Sequence, residues 1–174
     1  MNTRSENIFN PNSNNHLDVI SILKEIPFFK ELKRGELRLF AQIIYVRWYQ
    51  KDEIIFSEND PGICMYIIYK GSVKIYKNST FNGQEQLSTF TAGDFFGEHA
   101  LMDEQPRSYS AIALEDCCLL VLLRPDLLRL INRNPRLGNK IMLILAQLVT
   151  TRLHQKDEEL HQIKEKLTSL NFIK

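Results

Sequence analysis

The chain has 174 residues, 44% apolar and 25% charged, and its 22 Lys and Arg against 21 Asp and Glu leave a net charge of +1. That length suits one domain with a core plus one appendage, and excludes a two-domain enzyme built on a large α/β core. The balanced charge points neither to a nucleic-acid scaffold nor to an acidic solvating tail, and no apolar run is longer than Cys117 to Leu123, which falls far short of the roughly 20 residues of a membrane helix.

Residues 1–16 read as a disordered tail, with six Asn in the first 15 positions and no apolar stretch of the kind a secretory signal needs. Leu17 to Ile26 carries apolar residues at 17, 19, 20, 22, 23 and 26, which suits a short helix ended by Pro27. Phe28, Phe29 and Leu32 form an apolar patch, and Glu36 to Ile44 can form a second helix. From about Ile43 the texture changes to short β-branched and aromatic runs: Ile43–Tyr49, Ile54–Phe56, Cys64–Tyr69, Val73–Tyr76, Gln86–Phe90, Ser108–Leu114 and Cys117–Leu123. Turn signals separate them, and Asn82-Gly83 is a strong hairpin signal because both residues tolerate positive φ. Gly97 to Asp103 interrupts the strands with a helical turn or two. So many short strands in so short a span predict an antiparallel β-roll of the jelly-roll kind, an α+β domain over residues 17–133 with flanking N-terminal helices. Cys64, Cys117 and Cys118 make neither a disulfide framework nor a zinc site, which fits a reduced, cytoplasmic protein.

After Leu123 the period becomes helical. Arg124-Pro125-Asp126 places Pro early in a first turn, and Pro135 permits a new start. Nothing breaks the chain from Lys140 to Leu170, a length of roughly 45 Å as helix. Residues 134–174 therefore read as a long C-terminal dimerisation helix. Ala146, Leu153, Leu160 and Leu167 occupy one seam position of a heptad register, and Val149, Lys156, Ile163 and Leu170 the other. Arg152 with Asp157, and Glu159 with Lys164, fall at flanking positions with opposite charge. A parallel homodimer through residues 146–170 follows, with Lys156 as its weak point.

The segment that carries chemistry runs from Phe90 to Ser110. Gly97 allows close backbone approach just before a short helix, whose free N–H groups form an anion site. Glu98 sits at the helix mouth, and nine residues later Arg107 opens a strand and can fold back towards it. An Arg with free amides suits a phosphate, and a carboxylate beside it suits a hydroxyl donor. Together they suggest a nucleotide with a free ribose 2′-hydroxyl.

Gly93-Asp94-Phe95-Phe96-Gly97-Glu98-His99-Ala100-Leu101, followed by Pro106-Arg107-Ser108-Tyr109-Ser110, resembles the phosphate-binding cassette of the cyclic-nucleotide-binding domain family. Asp60-Pro61-Gly62, Met65 to Ile68 and Gly71 are similar to its strand–turn signature. The resemblance implies a sensor of cAMP, with cGMP less favoured, and not an enzyme. By that resemblance Glu98 accepts from the ribose 2′-hydroxyl and Arg107 pairs with the cyclic phosphate. Backbone N–H groups of Gly97, Glu98, His99 and Ala100, with the Ser108 hydroxyl, complete the cradle, and Ile75 and Leu87 line the base pocket. A base cap from the long helix would come from Gln155, Lys156 or Asp157. Lys51 and Asn59 stand where the family often has Gly, so a different turn is expected at Lys51. Tyr109 is large where a small residue is common, which alters access to the pocket.

Other chemistries fail on residue count. His99 is the one His among the barrel strands and loops, too few for a metal-binding jelly-roll enzyme, so no metal is expected. No room remains after the long helix for a helix-turn-helix domain, so the chain reads as a stand-alone sensor, or as the sensing part of a catabolite-activator-like transcription regulator. It binds no nucleic acid or membrane by itself and passes its output to a downstream protein.

Overall fold

The computed structural model describes residues 18–26, 29–79 and 83–171, with the side chains of 79 and 169–171 excepted. The expected tail, Pro27, Phe28, Asn82 and the Leu170 side chain lie outside these. The N-terminal helices are α1 (Val19–Glu25) and α2 (Arg34–Ala41). Asp18 caps α1 by accepting from the Ile20 N–H at 3.1 Å and the Ser21 hydroxyl at 2.6 Å. Glu36 in the first turn of α2 accepts from the Lys33 N–H at 2.8 Å.

The strands are β1 (Ile44–Tyr49), β2 (Ile54–Phe56), β3 (Cys64–Lys70), β4 (Ser72–Ser79), β5 (Gly83–Thr91), β6 (Phe95–Phe96), β7 (Ser110–Ala113) and β8 (Cys117–Leu123). They pair antiparallel in two four-stranded sheets, ordered β1-β8-β3-β6 and β2-β7-β4-β5. The antiparallel roll expected from the strand pattern is thus present. The two-residue β6, paired as Tyr66↔Phe96 and Ile67↔Phe95, is too short for a period to announce it. The strand expected from Ser108 begins only at Ser110, because Arg107 is held in a loop–loop pairing. Its N–H donates to the Asp60 carbonyl and its own carbonyl accepts from the Asn59 N–H, both at 2.9 Å. Asn59 has φ 71°, so Asn does take the left-handed turn where Gly is common, whereas near Lys51 that conformation falls on Asp52, with φ 65°.

Alternation along β3 and β8 explains the two cores. Cys64, Tyr66 and Ile68, with Cys117, Leu119 and Val121, face the other sheet, while Met65, Ile67, Leu120 and Leu122 face the helices. A strand buried on both sides reads as a continuous apolar run, as Cys117–Leu123 does.

Between β6 and β7 lies α3 (His99–Met102), and after β8 come α4 (Arg124–Arg133) and α5 (Pro135–Asn171). A Cβ on Gly138 would lie 2.8 Å from the Ile131 Cα, so this glycine lets α4 and α5 approach closely. Leu137, Ile141, Ile144, Leu145 and Leu148 of α5 are buried in the helical core with Leu23, Phe40 and Leu127. Leu153, Leu160, Ile163 and Leu167 are exposed in the single chain. The long helix thus packs its first half on its own domain and leaves an apolar stripe along the second. Among the described residues no helix is long and apolar enough to cross a membrane, and no cluster of His, Cys, Asp and Glu could hold a metal.

Candidate nucleotide-binding site

Gly97 is the hinge of the site. Its φ of 73° falls in the left-handed region, and a Cβ there would lie 2.6 Å from Arg107 Nη1. Both reasons call for glycine. The Gly97 N–H donates to the Tyr109 hydroxyl at 3.2 Å, and its carbonyl accepts from Arg107 Nη1 at 3.2 Å. Two side chains from one strand entry therefore grip a single residue of the cassette.

Arg107 is 6% exposed. Its Nη2 donates to the Cys64 carbonyl at 2.7 Å and lies 3.3 Å from Cys64 Sγ. The guanidinium stacks 4.3 Å over the Phe56 ring and 5.8 Å from Tyr66. Its Nε is buried and has no hydrogen-bond partner. Glu98, equally buried, shows the complementary defect. Oε1 is paired, but Oε2 is buried without a partner. Buried polar groups are nearly always satisfied, so an orphaned donor and an orphaned acceptor in one cassette have capacity for a polar ligand, and Arg124 Nε, outside the cassette, is orphaned as well. A phosphate fits the donor and a hydroxyl fits the acceptor.

Beneath lies an aromatic floor. Phe96 stacks on Tyr66 at 5.1 Å, and Phe90 on Phe96 at 6.2 Å, while Phe56 lies 5.8 Å from Tyr109. Burial pushes the Tyr109 hydroxyl's pKa up, with the Glu98 charge adding to it, and burial likewise raises that of Tyr66. Both phenols stay neutral at ordinary pH.

The structure brings together Gly97, Glu98 and Arg107, and it rearranges several other expected site residues. The Ala100 N–H donates to the Gly97 carbonyl at 3.3 Å, so the amides of Gly97 and Ala100 are already engaged and would have to be exchanged for phosphate. His99 points its side chain outwards, with Nε2 3.9 Å from Glu98 Oε1. Ser108 is exposed. Ile75 is buried between the sheets. Leu87 is 44% exposed, because Ile75 pairs with Ser88 and Tyr76 with Gln86, which leaves Leu87 as the extra residue of a bulge. Gln155, Lys156 and Asp157 are exposed, and Lys156 pairs within its own helix with Glu159 at 2.8 Å.

Arg152 is the residue whose partners within its own chain sequence reasoning did not find. A place opposite Asp157 in a coiled coil was expected, but its Nη1 pairs with Glu98 Oε1 at 3.0 Å and its Nη2 donates to the Phe95 carbonyl. The signal lay in the sequence: the inward stripe Leu137, Ile141, Leu145 and Leu148 has Arg152 as its next position.

Residues 46–134 match the family model described as a cyclic nucleotide-binding domain, which is just over half of the chain. The chain belongs to the cyclic nucleotide-binding domain family. It is 34% identical over 138 residues to the cyclic AMP receptor protein of Thermus thermophilus, a match covering 79% of this chain and 62% of that protein. It is 31% identical over 96 residues to a cAMP-dependent protein kinase regulatory subunit of Hypocrea atroviridis, covering 55% of this chain and 20% of that one. The chain therefore spans about three fifths and one fifth of these relatives. A solved cyclic nucleotide-binding domain from Methylobacillus flagellatus superposes with a TM-score of 0.73 at 28% identity, covering 83% of this chain and 82% of that one. The matched residues of the family model include β3, β6, the cassette and β8, which is the part of the chain that builds the site.

Proposed function

We propose that this chain is a cyclic-nucleotide sensor that binds cAMP in preference to cGMP between Glu98 and Arg107, and passes occupancy to its long helix. The observation that carries this reading is the pair of orphaned atoms, Oε2 of Glu98, the residue after Gly97, and Nε of Arg107, which holds the Gly97 carbonyl. Arg107 would hold the cyclic phosphate through Nε while its Nη groups keep the cassette. Glu98 Oε2 would accept from the ribose 2′-hydroxyl. The preference for cAMP rests on the names of relatives such as the Thermus receptor and the kinase regulatory subunit.

Leu101 of α3 shares the helical core with Leu127 and Leu130 of α4, and α4 packs on α5 through Gly138. Drawing the cassette around phosphate would therefore repack α3 against α4 and shift α5, with the signal passing to a downstream protein. A thermal-shift panel of cAMP, cGMP and linear nucleotides tests the ligand class. A nucleotide at about 100 times its Kd adds about 2.7 kcal/mol of stability, so cAMP should raise the midpoint most and linear AMP little. Equal shifts for cyclic and linear nucleotides would contradict the reading. Glu98→Gln should weaken cAMP roughly tenfold and leave 2′-deoxy-cAMP nearly unchanged in calorimetry, since a neutral amide is the poorer acceptor.

The exposed stripe Leu153, Leu160, Ile163 and Leu167 supports a parallel homodimer through the second half of α5. Sedimentation of the 20.4 kDa chain should give twice that mass. Leu153→Glu with Leu160→Glu should give the single mass, and a wild type that sediments as a monomer would remove the seam.

A further inference from the structure

Arg107 and Tyr109 stand two positions apart at the entry to β7, and both reach back to the same glycine. Arg107 Nη1 donates to the Gly97 carbonyl at 3.2 Å, and the Tyr109 hydroxyl accepts from the Gly97 N–H at 3.2 Å. The Tyr109 ring is half-buried and tilted at 43° against Phe56, with the centroids 5.8 Å apart. Its hydroxyl end lies among the charges of the site. Burial raises the phenol's pKa and the Glu98 carboxylate raises it further, while the Gly97 N–H and the Arg107 and Arg152 guanidinium groups pull it down. An oxygen that feels all three side chains sits among the groups proposed to hold the nucleotide.

The Gly97 N–H is one of the cassette donors that a ligand oxygen would use, and here a side chain of the same chain already uses it. The turn does not need this bond. Its left-handed backbone, φ 73°, is supplied by the glycine, and its carbonyl is held by Arg107. Nor does the ring need it, because the contact with Phe56 is made by carbon and not by the hydroxyl. A small residue at this position would leave the amide to water or to a ligand. Tyr109 brings its own acceptor into the site instead, in the place of a ligand oxygen.

We propose that Tyr109 is a resident plug that sets the affinity of the nucleotide site: its phenol oxygen holds the Gly97 N–H in the free protein, and a nucleotide seats only as that hydroxyl is displaced. This inference rests on the reading of Glu98 and Arg107 as a cyclic-nucleotide site. The apparent affinity is lowered by the fraction of molecules in which the hydroxyl has left the amide. A neutral hydrogen bond is worth roughly a three- to tenfold factor net, which sets the size of the handicap. The opposite role, in which the hydroxyl turns to contact the bound nucleotide, reverses the sign. Removing the one oxygen therefore separates the two.

The test is calorimetric titration of the full chain with cAMP, beside urea unfolding of the ligand-free chain. Tyr109→Phe keeps the ring on Phe56 and deletes the acceptor. It should bind cAMP roughly three- to tenfold tighter, and without ligand it should unfold at lower urea, because the bond that bars the ligand also holds the free cassette. Tighter binding together with lower stability is a pairing that simple damage to the site does not give, since damage lowers both. A wild type too weak to saturate whose Tyr109→Phe variant binds cAMP would support the plug in its strongest form. Unchanged or weaker cAMP binding by folded Tyr109→Phe, with the wild type binding, would overturn the plug and leave the site reading intact. Binding of no cyclic nucleotide by either chain would bring down the site reading and this inference with it.

Discussion

Arg107→Ala should abolish cyclic-nucleotide binding over the concentration range in which the wild type saturates. Stripping one partner from a buried charge pair costs about 3–5 kcal/mol, a loss of about a hundred- to several-thousand-fold in affinity. Arg107 is buried, its Nε is unpaired, and no other arginine or lysine contacts the Gly97 carbonyl among the described residues. The substitution has a second effect. The Gly97 and Cys64 carbonyls lose their donor, and each unsatisfied buried carbonyl costs about 1–3 kcal/mol, so the thermal midpoint should fall as well. Arg107→Lys separates the two effects. A lysine keeps one charge near the phosphate but cannot serve two carbonyls and a ligand at once, nor lie flat on Phe56. It should fold better than the alanine variant and still bind far more weakly than wild type. Calorimetry on folded Arg107→Lys that returned wild-type affinity would show that the phosphate is held elsewhere.

Phe96→Ala should be the most damaging single change to the fold near the site. The ring is fully buried, stacks at 11° and 5.1 Å on Tyr66, and lies 6.0 Å from Phe56. Phe-to-Ala changes in a core cost about 3–5 kcal/mol, through lost transfer energy and the cavity left behind. Phe96 is also half of the two-residue strand β6 that leads into Gly97, and it underlies the aromatic floor on which Arg107 rests. Urea unfolding should therefore give an unfolding free energy lower by that amount, with an earlier midpoint, and ligand affinity should fall with it. An unfolding free energy within about 1 kcal/mol of wild type would mean that β6 contributes little and that the cassette is held by other contacts.

The roll, its helices and the approach of Arg107 to Gly97 were legible because each is written locally. β8 announces itself as an apolar run buried on both faces, and the cassette sets its Gly, Glu and Arg within eleven residues of one another. What escaped sequence reading is what tertiary contact decides. Arg152 fits a heptad flank and the inward stripe of α5 equally well, and only the position of Phe90, Phe95 and Glu98 in space chooses between them. Tyr109 was legible as a bulky departure, yet its hydroxyl's place on the Gly97 N–H depends on how far the strand entry folds back. Leu87 was placed in a base pocket by resemblance to the family, and a bulge in β5 leaves it 44% exposed in this chain. A one-residue register shift of that kind carries no composition signal.

The most direct measurement is a crystal structure of the chain grown with excess cAMP. The account requires a phosphate oxygen within hydrogen-bond distance of Arg107 Nε and the ribose 2′-hydroxyl on Glu98 Oε2. Ordered nucleotide bound away from both atoms, or crystals in which both still lack a partner at saturating cAMP, would contradict it.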